Sequence, residues 1–180
     1  MGTSGSVRRT ATLRRELSRF AARAVELGAA QAKLMRPKDV VCAHWVRLKC
    51  QYGCDGFGGC LMCPPHSPTP AETRQVLDEY RALLLVHGRR WRAVNRLVVR
   101  LEREVFLAGF PKAFAWGAGP CVLCRSCDVS GPCSHPESAR PSMEASGIDV
   151  FATARRAGYP IVVVTTRSQE PNYYGLLGIE

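Results

Sequence analysis

Two short groups hold eight of the nine cysteines in this chain. The first group, CQYGCDGFGGCLMC, contains Cys50, Cys54, Cys60 and Cys63. The second, CVLCRSCDVSGPC, contains Cys121, Cys124, Cys127 and Cys133. Thiols this close together, in segments rich in glycine and proline, indicate metal ligands. The fold must therefore be one that presents two such loops on a rigid scaffold.

The length of the chain and the clustering of its cysteines argue against disulfides. A chain of 180 residues can bury a core without covalent cross-links. Secreted disulfide scaffolds are usually shorter, and they spread their cysteines across the fold. The start of the chain has no apolar stretch of a secretory signal, and no run of eighteen apolar residues predicts a membrane span. We therefore expect a cytoplasmic protein with reduced thiols and no membrane association.

The spacing in the second group is typical of an iron–sulfur site. Cys121, Cys124 and Cys127 follow one another at three-residue intervals, whereas a four-cysteine zinc site usually consists of two CxxC pairs separated by a longer segment. A [4Fe–4S] cluster takes each thiolate at a separate iron, so one curling loop can supply three of them, as in bacterial ferredoxins. The fourth ferredoxin cysteine precedes a proline, whereas here Cys133 is followed by Ser134.

These patterns predict one or two [4Fe–4S] clusters held by the eight clustered cysteines, with zinc as the alternative metal. Two ligation schemes are open. Each group holds its own cluster, or Cys63 and Cys133 are exchanged between two clusters. Cys42 lies outside both groups and is expected to be a buried apolar thiol.

Segments with helical and strand patterns alternate along the chain. Helices are predicted within residues 11–35, from Pro70 after the cap Thr69, over 91–108, and over 142–158. Strands are predicted in VVCAHWVRLKC, ALLLVHG, AFAWGAG, YPIVVVTT and YYGLLGIE.

This alternation favours an α/β fold, a single-domain sandwich of a mostly parallel sheet with flanking helices, with α+β as the alternative. Residues 1–36 are predicted to form an N-terminal basic helix and residues 37–180 a Cys-rich metal-binding α/β domain. The two cysteine groups should lie close together, because loops that follow adjacent parallel strands meet at one sheet edge.

The formal charge of +10 comes largely from arginines on the predicted helices. Such a surface suits an acidic redox partner protein. No nucleic-acid-binding motif accompanies the charge, so nucleic acid is not expected as a partner.

Five stretches together resemble a known family: WVRLKCQYGC, CLMCPPHSPTP, GAGPCVLCRSC, PCSHPESARPSMEASGIDVF and PNYYGLLGIE. They are similar to the bacterial and archaeal family named domain of unknown function 2284, over roughly residues 40 to 180. The resemblance implies metal binding centred on the eight clustered cysteines. Many relatives are expected to carry a cysteine where this chain has Ser146, so position 146 is not expected to be an essential ligand.

Electron transfer by the clusters is the leading functional interpretation, and whether the protein is an enzyme is open. A cluster with only three cysteine ligands would leave one iron open for catalysis. The candidates for proton transfer would then be His66, His135, Asp55 and Asp128. A zinc-stabilised interaction module is the third interpretation.

Overall fold

The computed structural model describes the backbone of residues 3–180 and the side chains from Arg15 onward. Its helices are α1 (Thr3–Glu26), α2 (His44–Gly53), α3 (Pro70–Asp78), α4 (Trp91–Leu107) and α5 (Val150–Arg156). Its strands are β1 (Gln31–Met35), β2 (Leu83–Gly88), β3 (Phe114–Trp116) and β4 (Tyr173–Gly178). A single 3-10 turn covers Pro37–Asp39. Within the described residues, no helix combines the length and the apolar character that crossing a membrane requires.

The four strands form one sheet in the order β1-β2-β4-β3, and all three pairings are antiparallel. The fold is therefore α+β, and the prediction of a mostly parallel α/β sheet is wrong. The error has a physical cause in β2, whose six residues are all buried because both faces of the sheet are covered. A strand buried on both faces reads as a continuous apolar run, the pattern usual for parallel strands.

Two predicted strands are absent from the described structure, and one helix is shorter than expected. VVCAHWVRLKC becomes helix α2 from His44, and only Cys42 makes an isolated bridge, to Ile148. In YPIVVVTT residues 162–164 are 45–66% exposed, and they pair with no strand of the sheet in the described structure. The helix predicted from Ser142 begins only at Val150, where the Asp149 side chain accepts the Ala152 N–H.

The N-terminal helix α1 packs against the sheet and ends before the predicted boundary. Its residues Leu17, Phe20 and Ala24 are buried, while Leu13 of the predicted apolar face lies outside the described side chains. The chain turns at Gly28, whose positive φ of 103° suits glycine, and enters β1. The last five residues of the predicted helix over 11–35 therefore form strand β1 instead.

Alternate residues of β2 supply two core clusters, one on each face of the sheet. Leu84 and Val86 pack with residues of α1 and α4. Leu83 and Leu85 pack with Met143, Ile148 and residues of α5. The second cluster includes Met143 and Ile148 and so anchors the segment 142–148, part of which lines a cavity beside the first cysteine group.

Helix α3 begins with the predicted capping box, which holds the chain just after the first cysteine group. The Thr69 hydroxyl accepts the Glu72 N–H at 3.2 Å, and the Glu72 carboxylate accepts the Thr69 N–H at 2.7 Å. Pro70 occupies the first turn. The segment 64–68 is tied to α2 as well, because Arg47 donates to the Pro65, Ser67 and Pro68 carbonyls.

Candidate metal centre

The two cysteine groups reach the same place from different elements. Cys50 lies in the last turn of α2 and Cys54 is the first residue beyond that helix. The second group follows β3 through the turn at Gly117 to Gly119, and Gly117 is held by backbone bonds to Pro141 and Met143. The groups lie close together as predicted, but the predicted reason, two adjacent parallel strands, is wrong.

Direct hydrogen bonds between backbone and sulfur hold the loops together. The Leu61 N–H donates to the Cys127 Sγ at 3.4 Å, which joins the first group to the second across 66 positions of sequence. Within each loop, the Met62 N–H donates to Cys60 Sγ and the His135 N–H to Cys133 Sγ, both at 3.4 Å. Such bonds stabilise thiolate charge and adjust the reduction potential of a bound iron–sulfur cluster.

A cavity of about 310 Å³, here called the second site, is lined by cysteines of both groups: Cys60, Cys63, Cys121, Cys124, Cys127 and Cys133. Along residues 121–129 of the second group, every third residue, starting with Cys121, is less exposed than the two that follow it. Its first three cysteines are half-buried, while the four residues between them are exposed. The three-residue spacing therefore turns every cysteine of the run toward the interior of the loop.

A smaller cavity of about 190 Å³, here called the first site, is lined by only three cysteines, Cys50, Cys54 and Cys63. Gly56 lies between two of these thiols. A Cβ added at Gly56 would stand 3.6 Å from the sulfurs of both Cys54 and Cys63. A side chain there would occupy the space beside the thiols, so glycine keeps the approach to the first site open.

The two sites adjoin each other, since Gly56, Cys63 and Pro120 line both cavities. Cys60 lines the second site and not the first, although it lies beside Cys63. Burial, and then the nearby thiols of Cys121 and Cys127, raise the pKa of Cys60. Cys133 also lines the second site and is not among the residues lining the first. The placement of Cys60 was not expected from the sequence, where it belongs to the first group.

Burial and crowding keep several of these thiols protonated in the protein alone. Burial, followed by the neighbouring thiols of Cys60, Cys54 and Cys50, raises the pKa of Cys63 to about 12. The pKa of Cys50 is also raised, first by burial and then by Cys54 and Glu144. A metal cation that binds here must displace these protons, and its charge relieves the repulsion between the thiolates.

Glu144 lies among the residues lining the first site and was missed by the sequence analysis. Its Oε2 atom is buried and has no hydrogen-bond partner among the described residues. Burial raises the pKa of this carboxyl, opposed by hydrogen bonds from its own N–H, the Ser142 hydroxyl and the Gly119 N–H. The signal in the sequence was a single carboxylate among small and apolar residues in PSMEASGI.

The candidates for proton transfer and Cys42 differ in exposure and in whether they line a cavity. His135 lines the second site, whereas His66 and Asp55 are exposed and line neither cavity. Asp128 accepts the N–H and the hydroxyl of Ser130, which lower the pKa of its carboxyl. Cys42 is half-buried rather than buried and also lies outside both cavities.

The thiols are dispersed around cavities rather than gathered at one point. Within the described part of the chain, no three His, Cys, Asp or Glu side chains form a group suited to a single metal ion. The second site has about ten times the roughly 30 Å³ that one water occupies in the liquid.

An arginine-lined groove of about 600 Å³ adjoins the second site at Cys121. Its basic lining consists of Arg92, Arg96, Arg100, Arg103 and Arg140. Arg100 pairs with Glu104 and Arg140 with Glu102, whereas the described residues offer no carboxylate partner to the other three. Val122 and Leu123, each 46% exposed, form the apolar edge of this groove beside the cysteines.

Comparisons with known proteins agree with this site at the level of the family. No curated protein and no solved structure matches the chain significantly. A family model described as a predicted metal-binding protein, DUF2284, matches residues 33–179, which include all eight clustered cysteines. The chain therefore belongs to the DUF2284 family of predicted metal-binding proteins.

Proposed function

We propose that this protein is an iron–sulfur protein that holds two adjacent [4Fe–4S] clusters, one in each cavity, and transfers electrons. One observation carries the proposal: six cysteines from both groups line a single cavity, and the three-residue run turns its thiols inward. A run of this kind wraps a cubane because successive thiolates reach successive irons.

The residues fit such clusters in number, chemistry and surroundings. The run Cys121, Cys124 and Cys127 would hold three irons of the second cluster, and Cys60 or Cys133 would hold the fourth. Cys50, Cys54 and Cys63 would hold the first cluster. Backbone N–H groups beside the sulfurs, such as that of Leu61, would stabilise the reduced state.

Electron transfer is supported by the adjacency of the two sites. Because Gly56, Cys63 and Pro120 line both cavities, the two sites share a wall. Bound clusters supply one-electron chemistry. The protein contributes the apolar wall of the first site, the half-buried loop of the second, and the spacing between them.

An acidic redox partner is proposed to dock at the arginine-lined groove. Arg92, Arg96 and Arg103 lie on one side of α4 without carboxylate partners in the described structure, and the groove reaches Cys121. Unpaired arginines on a concave surface attract negative charge and speed its approach. The apolar edge of Val122 and Leu123 would contact the partner next to the second cluster.

Anaerobic purification after expression with ample iron tests the proposal. Iron and sulfide should be bound in equal amounts, at close to eight of each per chain. The protein should be brown, with broad thiolate-to-iron absorption in the visible range and a spin-resonance signal after reduction. Stoichiometric zinc in a colourless protein would contradict it and favour a zinc-stabilised interaction module instead.

A further inference from the structure

The first site is short of one thiol. The sequence offers four cysteines for it, yet only Cys50, Cys54 and Cys63 line the cavity. Cys60 faces the second site, where Cys121 and Cys127 are its neighbours. Within the described structure, no cysteine of the second group lines the first cavity in its place. A cubane with four irons would therefore find three thiolates here.

A carboxylate is present where the fourth thiol is missing. Glu144 lines the same cavity, close enough to Cys50 to act on the pKa of that thiol. Ser142 and Gly119 line the cavity beside it. Its Oε2 atom stays buried without a partner in the described structure. Buried polar atoms are nearly always bonded, so an orphaned carboxylate oxygen beside three thiols is suited to binding a cation in this cavity.

We propose that Glu144 supplies the fourth ligand of the first site, so that three thiolates and one carboxylate oxygen hold its cluster. This inference rests on the proposed function, because it assumes iron in the first site.

Carboxylate ligation gives one iron a different character from the other three. Oxygen is a harder ligand than thiolate and holds an iron of a cluster less firmly. That iron can exchange its carboxylate for a small Lewis-basic ligand, such as a carboxylate- or thiolate-bearing molecule. The lining of the cavity, with Phe57, Pro64, Pro120 and Ala145, would give the exchange site an apolar wall. The protein would then combine one electron-transfer cluster with one cluster able to bind a substrate.

Selective removal and replacement of the labile iron tests the inference. A mild one-electron oxidant converts a [4Fe–4S]²⁺ cluster to [3Fe–4S]⁺ with loss of one Fe²⁺ when one iron is weakly held. Anaerobic wild-type protein should release one iron per chain and show the spin-resonance signal of a three-iron cluster. Refilling with ⁵⁷Fe then labels that iron alone, and its Mössbauer isomer shift should indicate oxygen ligation.

Two Glu→Gln variants, which keep the size of the side chain, distinguish a ligand role of Glu144 from a purely structural one. Glu144→Gln removes the anionic ligand, so the ⁵⁷Fe isomer shift should change and the iron should be lost several-fold faster. Glu79→Gln, at an exposed carboxylate that lines neither site nor the arginine-lined groove, should match the wild type in both. A structural role alone would lower the melting temperature of Glu144→Gln without altering the isomer shift.

The outcomes distinguish this inference from the function on which it rests. Eight irons per chain, none released on oxidation, would overturn the role of Glu144 and leave the iron–sulfur function in place. The role of Glu144 would also be overturned if the refilled ⁵⁷Fe had an isomer shift typical of thiolate ligation and Glu144→Gln left that shift unchanged. Zinc in place of iron would overturn both.

Discussion

Arg140, at the end of the loop that carries the second cysteine group, is bound to Glu102 of α4 by two hydrogen bonds. Its Nε lies 2.8 Å from Glu102 Oε2 and its Nη2 lies 2.5 Å from Oε1. The side chains are 16% and 12% exposed. Glu102 also accepts the Ala115 N–H at 2.7 Å, so this ion pair joins the loop, α4 and β3.

Breaking this pair from one side should destabilise the fold. Arg140→Ala leaves the Glu102 carboxylate half-buried and unpaired, which we expect to lower the free energy of unfolding by about 3 kcal/mol. The double variant Glu102→Gln/Arg140→Met should recover most of that loss, because no unpaired charge stays buried and the introduced amide oxygen can still accept the Ala115 N–H. Denaturant unfolding of the wild type and both variants measures these free energies. Equal losses in the single and double variants would show that the pair itself contributes the stability.

Substitution of a single clustered cysteine should remove the iron of one site and leave the iron of the other. Cys124→Ala removes a thiol that lines only the second site, so about half of the bound iron should be lost. Cys42→Ala should keep the full iron content, because Cys42 lines neither cavity. Iron and sulfide analysis of anaerobic protein gives the answer. Iron loss in the Cys42 variant and none in the Cys124 variant would refute the ligand assignment.

Cys60 should behave as a residue of the second site despite its place in the sequence. Cys60→Ala should alter the spin-resonance signal of the cluster that Cys124→Ala removes, and leave the other signal unchanged. Cys54→Ala should do the reverse, since Cys54 lines only the first site. If Cys60→Ala and Cys54→Ala affect the same signal, Cys60 is a ligand of the first site.

The stability of the protein should decline in mild acid because of His87. This imidazole is buried on β2, its Nε2 lies 2.8 Å from Asn172 Oδ1, and it stacks on Tyr174. Burial first, and then the charge of Arg89, lowers the pKa of His87. The unfolded chain therefore takes up a proton below pH 6.5 that the folded protein resists, so this contribution to stability is lost as the pH falls below that value.

Replacement of the imidazole tests that assignment. His87→Gln should flatten the pH dependence of the unfolding free energy below pH 6.5, compared with the exposed control His44→Gln. Tyr159 and Tyr174 also face His87, but their pKa values are raised by burial and both stay neutral in this range. Equal slopes in the two variants would assign the acid sensitivity to other groups.

Charge at the arginine-lined groove should control the reaction with anionic electron acceptors. Arg92→Glu/Arg96→Glu/Arg103→Glu should slow electron transfer to an anionic cobalt chelate by about tenfold at low ionic strength. The difference should shrink in salt, and a cationic cobalt complex should show no slowing. Arg167→Glu, an exposed charge elsewhere, is the matched control. Stopped-flow rates that are equal for the triple variant and the control would place electron exit at another surface.

The sequence by itself determined the features that depend on residues close together in the chain. The capping box at Thr69 and Glu72, the long helix ending near Gly109 and the buried strand LLLVHG were all confirmed, because each depends on neighbours within a few residues. Metal binding by the family was likewise evident from the motifs.

Tertiary structure decided the rest. Strand direction depends on which strands pair, and β4, at the end of the chain, inserts between β2 and β3 and makes the sheet antiparallel. VVVTT has strand composition, but it is not a strand, because none of the described strands pairs with it. Cys60 and Cys63 are three positions apart, yet Cys60 lines one cavity and Cys63 lines both. Glu144 joins the first site because Met143 and Ile148 anchor its segment in the core beside that cavity. Contacts between distant segments fix each of these features, and no local pattern encodes them.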